Sequence, residues 1–443
     1  MNDPMYQELL ELLRIPSISA GPGDPADLQR AADWLIAKIE SSGGSAGVAD
    51  LPGNPLVVGE LGGPPDAPTV MIYGHYDVQS AHPLDEWQSD PFEPEVRDGR
   101  LYGRGTSDDK GNFYPLLFVA CELAAKKELP VNISIVIEGE EEVGGPNVVR
   151  YITEQYRGAD CAIVFDSLMV DAQTPAMTLG VRGMIPAEIW VRTGKRDLHS
   201  GLYGGTVLNA VHVLHRMLSN VLPGPDGSVP ESLRKGAIPP TEDELRDWAA
   251  LPPGPDVLAE VGGRPFSPEV AAGYYSRNWA EPSVDVSGVE GGTGAERRSI
   301  VPCTAGCNIG IRLAPGQSGA EIEEEARRLL LKDVPDDAEV EIDFYGTADP
   351  ALFDPSSTAI RLARGALDEA TGMTTRLTRI GGTLPILAGL AAKKIPTILS
   401  GFALAEDRIH SPNESFRLDA IELCERAARR LYPALAHLHD EGT

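Results

Sequence analysis

Histidine and acidic residues follow four short apolar runs, and this pattern is the strongest chemical signal in the sequence. The four runs and the residues that come after them are 69–73 with His75, 131–137 with Glu142, 161–165 with Asp166, and 395–399 with His410. Each run has the length and composition of a buried β-strand. Helical periodicity between the runs indicates βαβ units and a parallel sheet. Because the carboxyl ends of parallel strands share one edge, we expect these side chains to converge.

The loop 102–111 adds another carboxylate, Asp108, just before a predicted helix. Two histidines and three carboxylates suit a pair of zinc or similar borderline ions, with one carboxylate bridging them. Two such ions, about 3.5–4 Å apart, would polarise a carbonyl and generate a metal-bound hydroxide. Asp77, two residues after His75, would fix the tautomer of that imidazole. The pattern therefore predicts hydrolytic metal chemistry.

Each of these features alone also has a simpler explanation. A histidine after a strand is usually a loop residue, and the three acids 140–142 are typical of a solvated loop. Asp108 and Asp109 would serve equally well as a helix N-cap pair. Only the conjunction of all the segments favours a metal site. Cys303 and Cys307 lack a second Cys or His pair, so we interpret them as small core residues.

The length of 443 residues predicts two domains. The alternation of strands and helices is interrupted in the middle of the chain, where a Pro/Gly-rich stretch, 223–268, predicts a long surface excursion. We expect one α/β domain, residues 1–181 and 353–443, interrupted by a smaller α+β domain, residues 182–352.

Composition narrows the class of partner. The chain has 66 acidic and 38 basic residues and a net charge of -28, which disfavours nucleic acid and anionic membrane surfaces. The sequence has no apolar stretch of about eighteen residues and no positively charged signal segment. Five cysteines, few and odd in number, argue against a disulfide scaffold. We therefore expect a cytoplasmic protein with a small-molecule substrate.

Five motifs carry a resemblance to a known family: GHYDV at 74–78, YGRGTSDDKG at 102–111, EGEEEVGG at 138–145, Asp166, and RIHSPNE at 408–414. The sequence resembles the aminoacylase/carnosinase family of di-zinc metallopeptidases, peptidase family M20. It is most similar to the carnosinase-like dipeptidase branch, whose second motif has the same double Asp. The resemblance implies a phosphorylase/hydrolase-like α/β catalytic domain with a mainly parallel sheet. It also implies an α+β lid domain through which the chain forms a homodimer.

The resemblance also implies roles for individual residues. The implied metal ligands are His75 and Asp166 for one ion, Glu142 and His410 for the other, and Asp108 as the bridge. Glu141 corresponds to the general base, and Asp77 to the residue that orients His75. His199, a lid residue, corresponds to a histidine that stabilises the oxyanion in the partner subunit's active site. Two zinc ions are expected, with manganese or cobalt as alternatives.

Substrate contacts follow from the same resemblance. Arg312 would hold the substrate carboxylate through its guanidinium fork, and the segment of Arg379, Ile380, Gly381 and Gly382 would line the pocket. The dipeptidases carry Glu at the position of Ile380, where it helps to hold the substrate's free amine. They also have a second lid histidine, whereas this chain has no His between His215 and His410.

The function implied is hydrolysis of a peptide or amide bond beside a free carboxylate, as in a dipeptidase. An N-acyl-amino-acid deacylase or a carboxypeptidase-like amidase is the alternative within the hydrolases. From a different class, a catalytically silent metal- or ligand-binding relative would lack a ligand or the base, and every such position here is filled.

Overall fold

The computed structural model describes residues 3–292, 298–382 and 384–440. The chain forms two compact units. The first comprises Met1–Leu179, Phe353–Thr378 and Pro385–Thr443, and the second comprises Gly180–Leu352 and Arg379–Leu384. The sequence places the insert at 182–352, and the structure adds the short segment Arg379–Leu384 to it. The predicted substrate segment therefore belongs to the second unit.

Strands occur throughout both units. In chain order they are β1 (Ile18–Ala20), β2 (Ser45–Val48), β3 (Val57–Leu61), β4 (Thr69–His75), β5 (Val78–Gln79), β6 (Glu95–Arg97), β7 (Arg100–Tyr102), β8 (Asn132–Glu138), β9 (Cys161–Phe165), β10 (Ala176–Val181), β11 (Gly183–Arg192), β12 (Leu198–His199), β13 (Ser283–Gly291), β14 (Ile300–Val301), β15 (Thr304–Leu313), β16 (Glu339–Phe344), β17 (Ala351–Leu352), β18 (Arg376–Ile380), β19 (Thr397–Ser400) and β20 (Ser415–Arg417).

The α-helices of the described residues are α1 (Pro4–Leu13), α2 (Pro25–Ser41), α3 (Lys110–Lys126), α4 (Pro146–Arg150), α5 (Ser200–Tyr203), α6 (Ala210–Ser219), α7 (Glu242–Trp248), α8 (Gly254–Glu260), α9 (Pro268–Ala272), α10 (Tyr274–Ala280), α11 (Gly319–Leu331), α12 (Thr358–Thr371), α13 (Pro385–Ala392) and α14 (Leu418–Leu435). Among these residues, no helix combines the length and the apolar composition needed to cross a bilayer.

The first unit is built on a twisted sheet of order β10-β19-β9-β4-β8-β3-β2. The four central strands, β19, β9, β4 and β8, pair in parallel, whereas β10, β3 and β2 pair antiparallel at the two sides. This arrangement confirms the predicted α/β class with parallel central strands. The carboxyl ends of all four predicted ligand-bearing strands lie at one edge.

Apolar composition explains why these strands lie at the centre. Every residue of β9 is buried, as in a parallel strand that is covered on both faces. Helices α3 and α14 pack against each other beside this sheet. At Gly74, in β4, an added Cβ would lie 2.4 Å from the Cβ of Phe113 in α3. The glycine lets α3 approach the strand immediately before His75.

The second unit has its own antiparallel sheet, of order β13-β15-β11-β16. Along β11 the buried residues are Gly183, Ile185, Ala187, Ile189 and Val191, a period of two that turns one face inward. Helices α6 and α11 cover that face and complete a separate hydrophobic core.

The stretch predicted as a long surface excursion contains several short helical segments. It contains a 3-10 turn at Glu231–Arg234 and the helices α7 and α8, and α9 and α10 follow at its end. Prolines occupy the first turns of α8 and α9, where a missing N–H costs nothing, so these two prolines mark helix starts. Trp279 packs 5.2 Å from Trp248 and 4.5 Å from Tyr275, measured between ring centroids. This aromatic cluster packs α10 against Trp248, the last residue of α7 in the excursion.

Candidate metal centre

The five predicted metal ligands lie together at the carboxyl edge of the first unit's sheet. His75 is the last residue of β4, and Asp166 follows β9 directly. Glu142 lies in a 3-10 turn after β8, and His410 lies in the loop between β19 and β20. Asp108 comes from the turn that precedes α3. The carboxyl ends of the four parallel strands and the segments that follow them therefore supply four of the five residues, as the sequence predicts.

Asp108 lies between the two histidines. Its Oδ1 is 3.0 Å from His75 Nε2, and its Oδ2 is 2.9 Å from His410 Nε2. Glu142 Oε2 is 3.1 Å from His410 Nε2, and Asp166 Oδ2 is 3.8 Å from His75 Nε2. Each oxygen of one carboxylate thus faces a different imidazole, which is the arrangement that a bridging ligand needs.

Asp109 joins this cluster, although from the sequence it was expected only to cap α3. Its carboxylate lies beside the His75 imidazole and the Asp166 carboxylate, and the possible ligand atoms of these three residues lie within 4.8 Å of one another. Its Oδ2 accepts a hydrogen bond from the His75 main-chain N–H at 3.3 Å. Its Oδ1 is buried and has no hydrogen-bond partner among the described residues. A bound cation would satisfy such an oxygen, and the double Asp was the signal for it.

The pKa values of the cluster show a shortage of positive charge. Burial raises the pKa of Asp166 to about 7 and that of Glu141 to about 9, and neighbouring carboxylates add to both shifts. Hydrogen bonds to Asp108 and Glu142 raise the pKa of His410 to about 10. Burial lowers the pKa of His75, but hydrogen bonds to Asp108 and Asp77 outweigh it and raise that pKa. Divalent cations would replace these protons, so the donor set fits two of them.

Asp77 braces the turn that carries Glu141 and Glu142. It is fully buried, and its carboxylate accepts hydrogen bonds from the Glu141 N–H at 3.3 Å and the Glu142 N–H at 3.2 Å. The His75 Nδ1 lies 3.0 Å from the main-chain oxygen of Asp77 and 3.5 Å from Oδ1. The main-chain oxygen is the nearer partner of the imidazole, and the Asp77 carboxylate lies within ion-pair distance of the same nitrogen.

Gln79 contacts Glu142, one of the predicted metal ligands. Its Nε2 donates a hydrogen bond to Glu142 Oε2 at 2.8 Å, the same oxygen that faces His410. This residue was not singled out in the sequence, where a glutamine at a strand end carries no distinctive signal.

His199, in the second unit, caps α5. Its Nδ1 accepts a hydrogen bond from the Gly201 N–H at 3.0 Å, and the residue is exposed. This is the turn-capping contact expected of an ordinary loop histidine. Because Nδ1 acts as the acceptor, the neutral imidazole carries its proton on Nε2 and presents an N–H donor there.

Arg312 and Arg379 have different surroundings. Arg312 is half-buried in β15, where it pairs with Met184 on one side and Ser283 on the other. Arg379 is 1% exposed, and its Nε and Nη2 bind the Glu244 carboxylate at 2.6 and 2.9 Å. Its Nη1 donates to the Ile238 carbonyl at 3.1 Å. Arg379 therefore anchors the helical excursion, which differs from its predicted place in the substrate pocket.

The segment after Arg379 is held by Arg182. The Arg182 main-chain N–H donates to the Ile380 carbonyl at 3.3 Å, and its Nε donates to the Gly381 carbonyl at 3.3 Å. A Cβ at Gly381 would lie 3.0 Å from both Arg182 Nη2 and Asn278 Oδ1, so glycine fits here. Gly382 is exposed and faces open space. Nothing in the sequence singles out Arg182 for this contact.

Comparison with known proteins assigns the chain to a family. The description Peptidase family M20/M25/M40 matches residues 71–433, from β4 to α14. The chain belongs to this family, as the motifs predicted, and it is a metal-dependent peptide-bond hydrolase.

Named relatives agree with the family. The Cys-Gly metallodipeptidase dug1 of Schizosaccharomyces pombe is 28% identical over 443 residues, covering 94% of this chain and 92% of that protein. The human Beta-Ala-His dipeptidase is 27% identical over 381 residues, covering 82% of this chain and 74% of that protein. The crystal structure of the M20 family metallo-carboxypeptidase Sso-CP2 from Sulfolobus solfataricus superposes with a TM-score of 0.83 at 26% identity, covering 98% of this chain and 99% of the other.

Proposed function

We propose that this chain is a two-metal dipeptidase-type enzyme that cleaves a peptide or amide bond beside a free carboxylate. The observation that carries the proposal is the position of Asp108, one oxygen of which faces His75 and the other His410. Asp166 lies beside His75, and Glu142 lies beside His410, so each half of the site has a histidine and a carboxylate of its own. Nitrogen and carboxylate donors suit zinc first, with manganese or cobalt as alternatives.

When bound, two such ions would polarise the scissile carbonyl and lower the pKa of a water molecule. Glu141, next to a ligand in the chain, would take the proton from that water and deliver it to the leaving amine. Asp77 holds the main chain of Glu141 and thereby its position. His199 would donate its Nε2–H to the oxyanion, from the partner subunit of a homodimer.

Different residues would contact the two ends of the substrate. Arg312 would bind the carboxylate end through its guanidinium. At the other end, Ile380 stands where the dipeptidases of this branch carry Glu, and an apolar side chain offers nothing to an ammonium group. We propose that the enzyme does not require a free amine, so that an N-acyl amino acid or a carboxypeptidase substrate is accepted as well. The likeness to a metallo-carboxypeptidase supports this second candidate.

The test begins with metal content and activity. Elemental analysis should find up to two divalent metals per chain, and exhaustive chelation should abolish hydrolysis of dipeptides and N-acyl amino acids. Adding zinc, manganese or cobalt in turn should restore it. Full activity in metal-free protein would exclude the proposal.

A matched pair of histidines sharpens the test. His410→Ala should lose metal and activity. His437→Ala removes an exposed histidine that also pairs with a carboxylate, Asp440, at 2.7 Å, and it should lose neither.

A further inference from the structure

The turn that carries His410 has an unusual backbone. Three non-glycine residues have positive φ: Arg408 at 57°, His410 at 62° and Asn413 at 63°. L-residues seldom adopt this conformation, and it persists where the surroundings impose it. The His410 side chain is 51% exposed, so its own packing does not fix it. Apart from its own contacts with Asp108 and Glu142, the imidazole is positioned by contacts at the ends of the turn.

Glu414 provides the strongest of these contacts. It is fully buried, and both of its oxygens accept hydrogen bonds from the loop that carries Asp108. Oε2 accepts from Arg104 Nη1 at 2.7 Å and from the Gly105 N–H at 3.1 Å. Oε1 accepts from the Ser107 N–H at 2.9 Å and the Asp108 N–H at 3.1 Å. One carboxylate thus holds the main chain of the bridging aspartate from a position four residues after His410.

Arg104 also joins the loop that carries Asp108 to the turn that carries His410. It is 1% exposed, and its Nη2 donates to the carbonyl of Ser411, next to His410, at 3.4 Å. At the other end of the turn, Asp407 accepts hydrogen bonds from the Leu404 N–H and the Ser107 hydroxyl at 2.7 and 3.3 Å. The two segments that bring Asp108 and His410 together are therefore joined on both sides of the histidine.

We propose that Glu414, with Arg104, is a positioning residue that fixes the separation between Asp108 and the His410 turn. The inference rests on the metal centre proposed above and assigns Glu414 no contact with metal or substrate. Without the carboxylate, four donors lose their acceptor and the turn is released at one end. Asp108 and His410 would then no longer be held at the separation that the metal ions require.

The decisive variant is Glu414→Gln, which keeps the size of the side chain. Its amide NH₂ would face backbone N–H groups or Arg104, so part of the connection is lost. Metal dissociation constants are measured by competition with a chromophoric chelator, and the fold by circular dichroism and the Tm of metal-free protein. We expect at least one dissociation constant to rise about ten- to hundredfold, the usual effect of removing an outer-sphere partner. Activity should return in part at saturating metal.

Glu244→Gln is the matched control. Glu244 is also an almost fully buried carboxylate that binds an arginine through both oxygens, but it belongs to the second unit. It should lower Tm and leave the metal dissociation constants unchanged. A merely structural role for Glu414 would give the same result in both variants.

Three outcomes are distinguishable. If the wild type binds no divalent metal, the proposed function fails. If the wild type binds two ions and Glu414→Gln binds them with the same affinity, the positioning role is overturned. If Glu414→Gln does not fold, Arg104→Lys replaces it as the test. That variant retains charge but loses the contact with Ser411 or Glu414, and wild-type metal affinity in it overturns the inference equally.

Discussion

The carboxyl edge of the first unit's sheet and the segment from Arg379 to Gly382 in the second unit were both predicted to carry functional side chains. At the sheet edge, the side chains face one another, and Asp108 lies within 3.0 Å of His75. In the second segment, Arg379 binds Glu244, a residue 135 positions earlier in the chain. A strand end fixes where its next residue points, whereas the partner of a long side chain depends on elements far away.

Two buried ion pairs show the same contrast. Arg104 and Glu414 have side chains 2% and 0% exposed, and Arg379 and Glu244 are each 1% exposed. Removing one partner of such a pair typically costs about 3–5 kcal/mol, because it leaves a buried charge uncompensated. Their chemistry is alike, but one pair joins two ligand loops while the other fastens a helical excursion. Burial and charge alone therefore do not reveal whether a pair serves catalysis.

The largest expected effect concerns the sheet edge. Glu141→Gln should retain both metals and lose about 10²–10⁴-fold in kcat, the scale of a positioned general base. Glu142→Ala should instead bind one ion less, because Glu142 faces His410. Steady-state kinetics with elemental analysis separates the two neighbours. Normal turnover by Glu141→Gln would remove the base from the proposed mechanism.

The next effect tests whether the second unit contributes to chemistry at all. His199→Ala should lower kcat about 10²–10³-fold if its Nε2–H donates to an oxyanion. His212→Ala removes another exposed histidine of the same unit and should have no effect.

Mixed dimers extend this test. Co-expressed His199→Ala and Glu141→Gln chains should recover partial activity, because one site of each heterodimer would hold both intact residues. Purified heterodimers without any recovery would contradict the shared site.

Most of the fold was predictable from the sequence because strands and helices here follow clear apolar periods. The strand at Cys161–Phe165 has the predicted bounds, and α/β alternation predicted the parallel centre of the sheet. The helices of the excursion were missed because prolines that begin helices look like loop residues.

In the site, the strand-end residues could be predicted and their supports could not. The double Asp marks Asp109, but Arg182 and Glu414 have no periodicity that distinguishes them from surface residues. Their roles follow from contacts such as the one between Glu414 and the Asp108 N–H, which join segments 306 residues apart. Only the folded chain brings those groups together.

A moderate effect is expected at Ile380. Ile380→Glu should shift the ratio of kcat/KM values toward the free-amine dipeptide and away from its N-acetyl counterpart, because a carboxylate would receive the ammonium group. A change of about 10-fold or more is within the range of polar recognition. Ile380→Val keeps the site apolar and serves as the control. A wild type that already rejects the N-acetyl substrate by about 1000-fold would show that another acidic residue receives the amine.

The smallest expected effect concerns Glu138, at the end of β8, and is a change in stability with pH. Burial raises the pKa of Glu138 to about 8, although Tyr73 donates a hydrogen bond to its Oε1 at 2.5 Å. Its Oε2 is buried without a hydrogen-bond partner among the described residues. The folded state therefore binds the proton more tightly than the unfolded state, whose carboxyl has a pKa of about 4.3. The stability that Glu138 contributes is fully present below that value and is lost as pH rises through the folded pKa.

Glu138→Gln stays neutral, so the Tm difference between variant and wild type should grow in favour of the variant from pH 5 to pH 8.5. A gain of a few degrees is expected, since about 1 kcal/mol moves Tm by roughly 2–4 °C. Calorimetry of metal-free protein measures it. Glu122→Gln is a control of opposite sign, because hydrogen bonds from Lys126 and Arg429 lower the pKa of Glu122. The stabilising contribution of Glu122 is present at neutral pH and is lost as pH falls. The Tm of Glu122→Gln should therefore lie further below the wild-type Tm at pH 7 than at pH 4. A Tm difference for Glu138→Gln that does not change with pH would show that Glu138 is ionised in the folded protein.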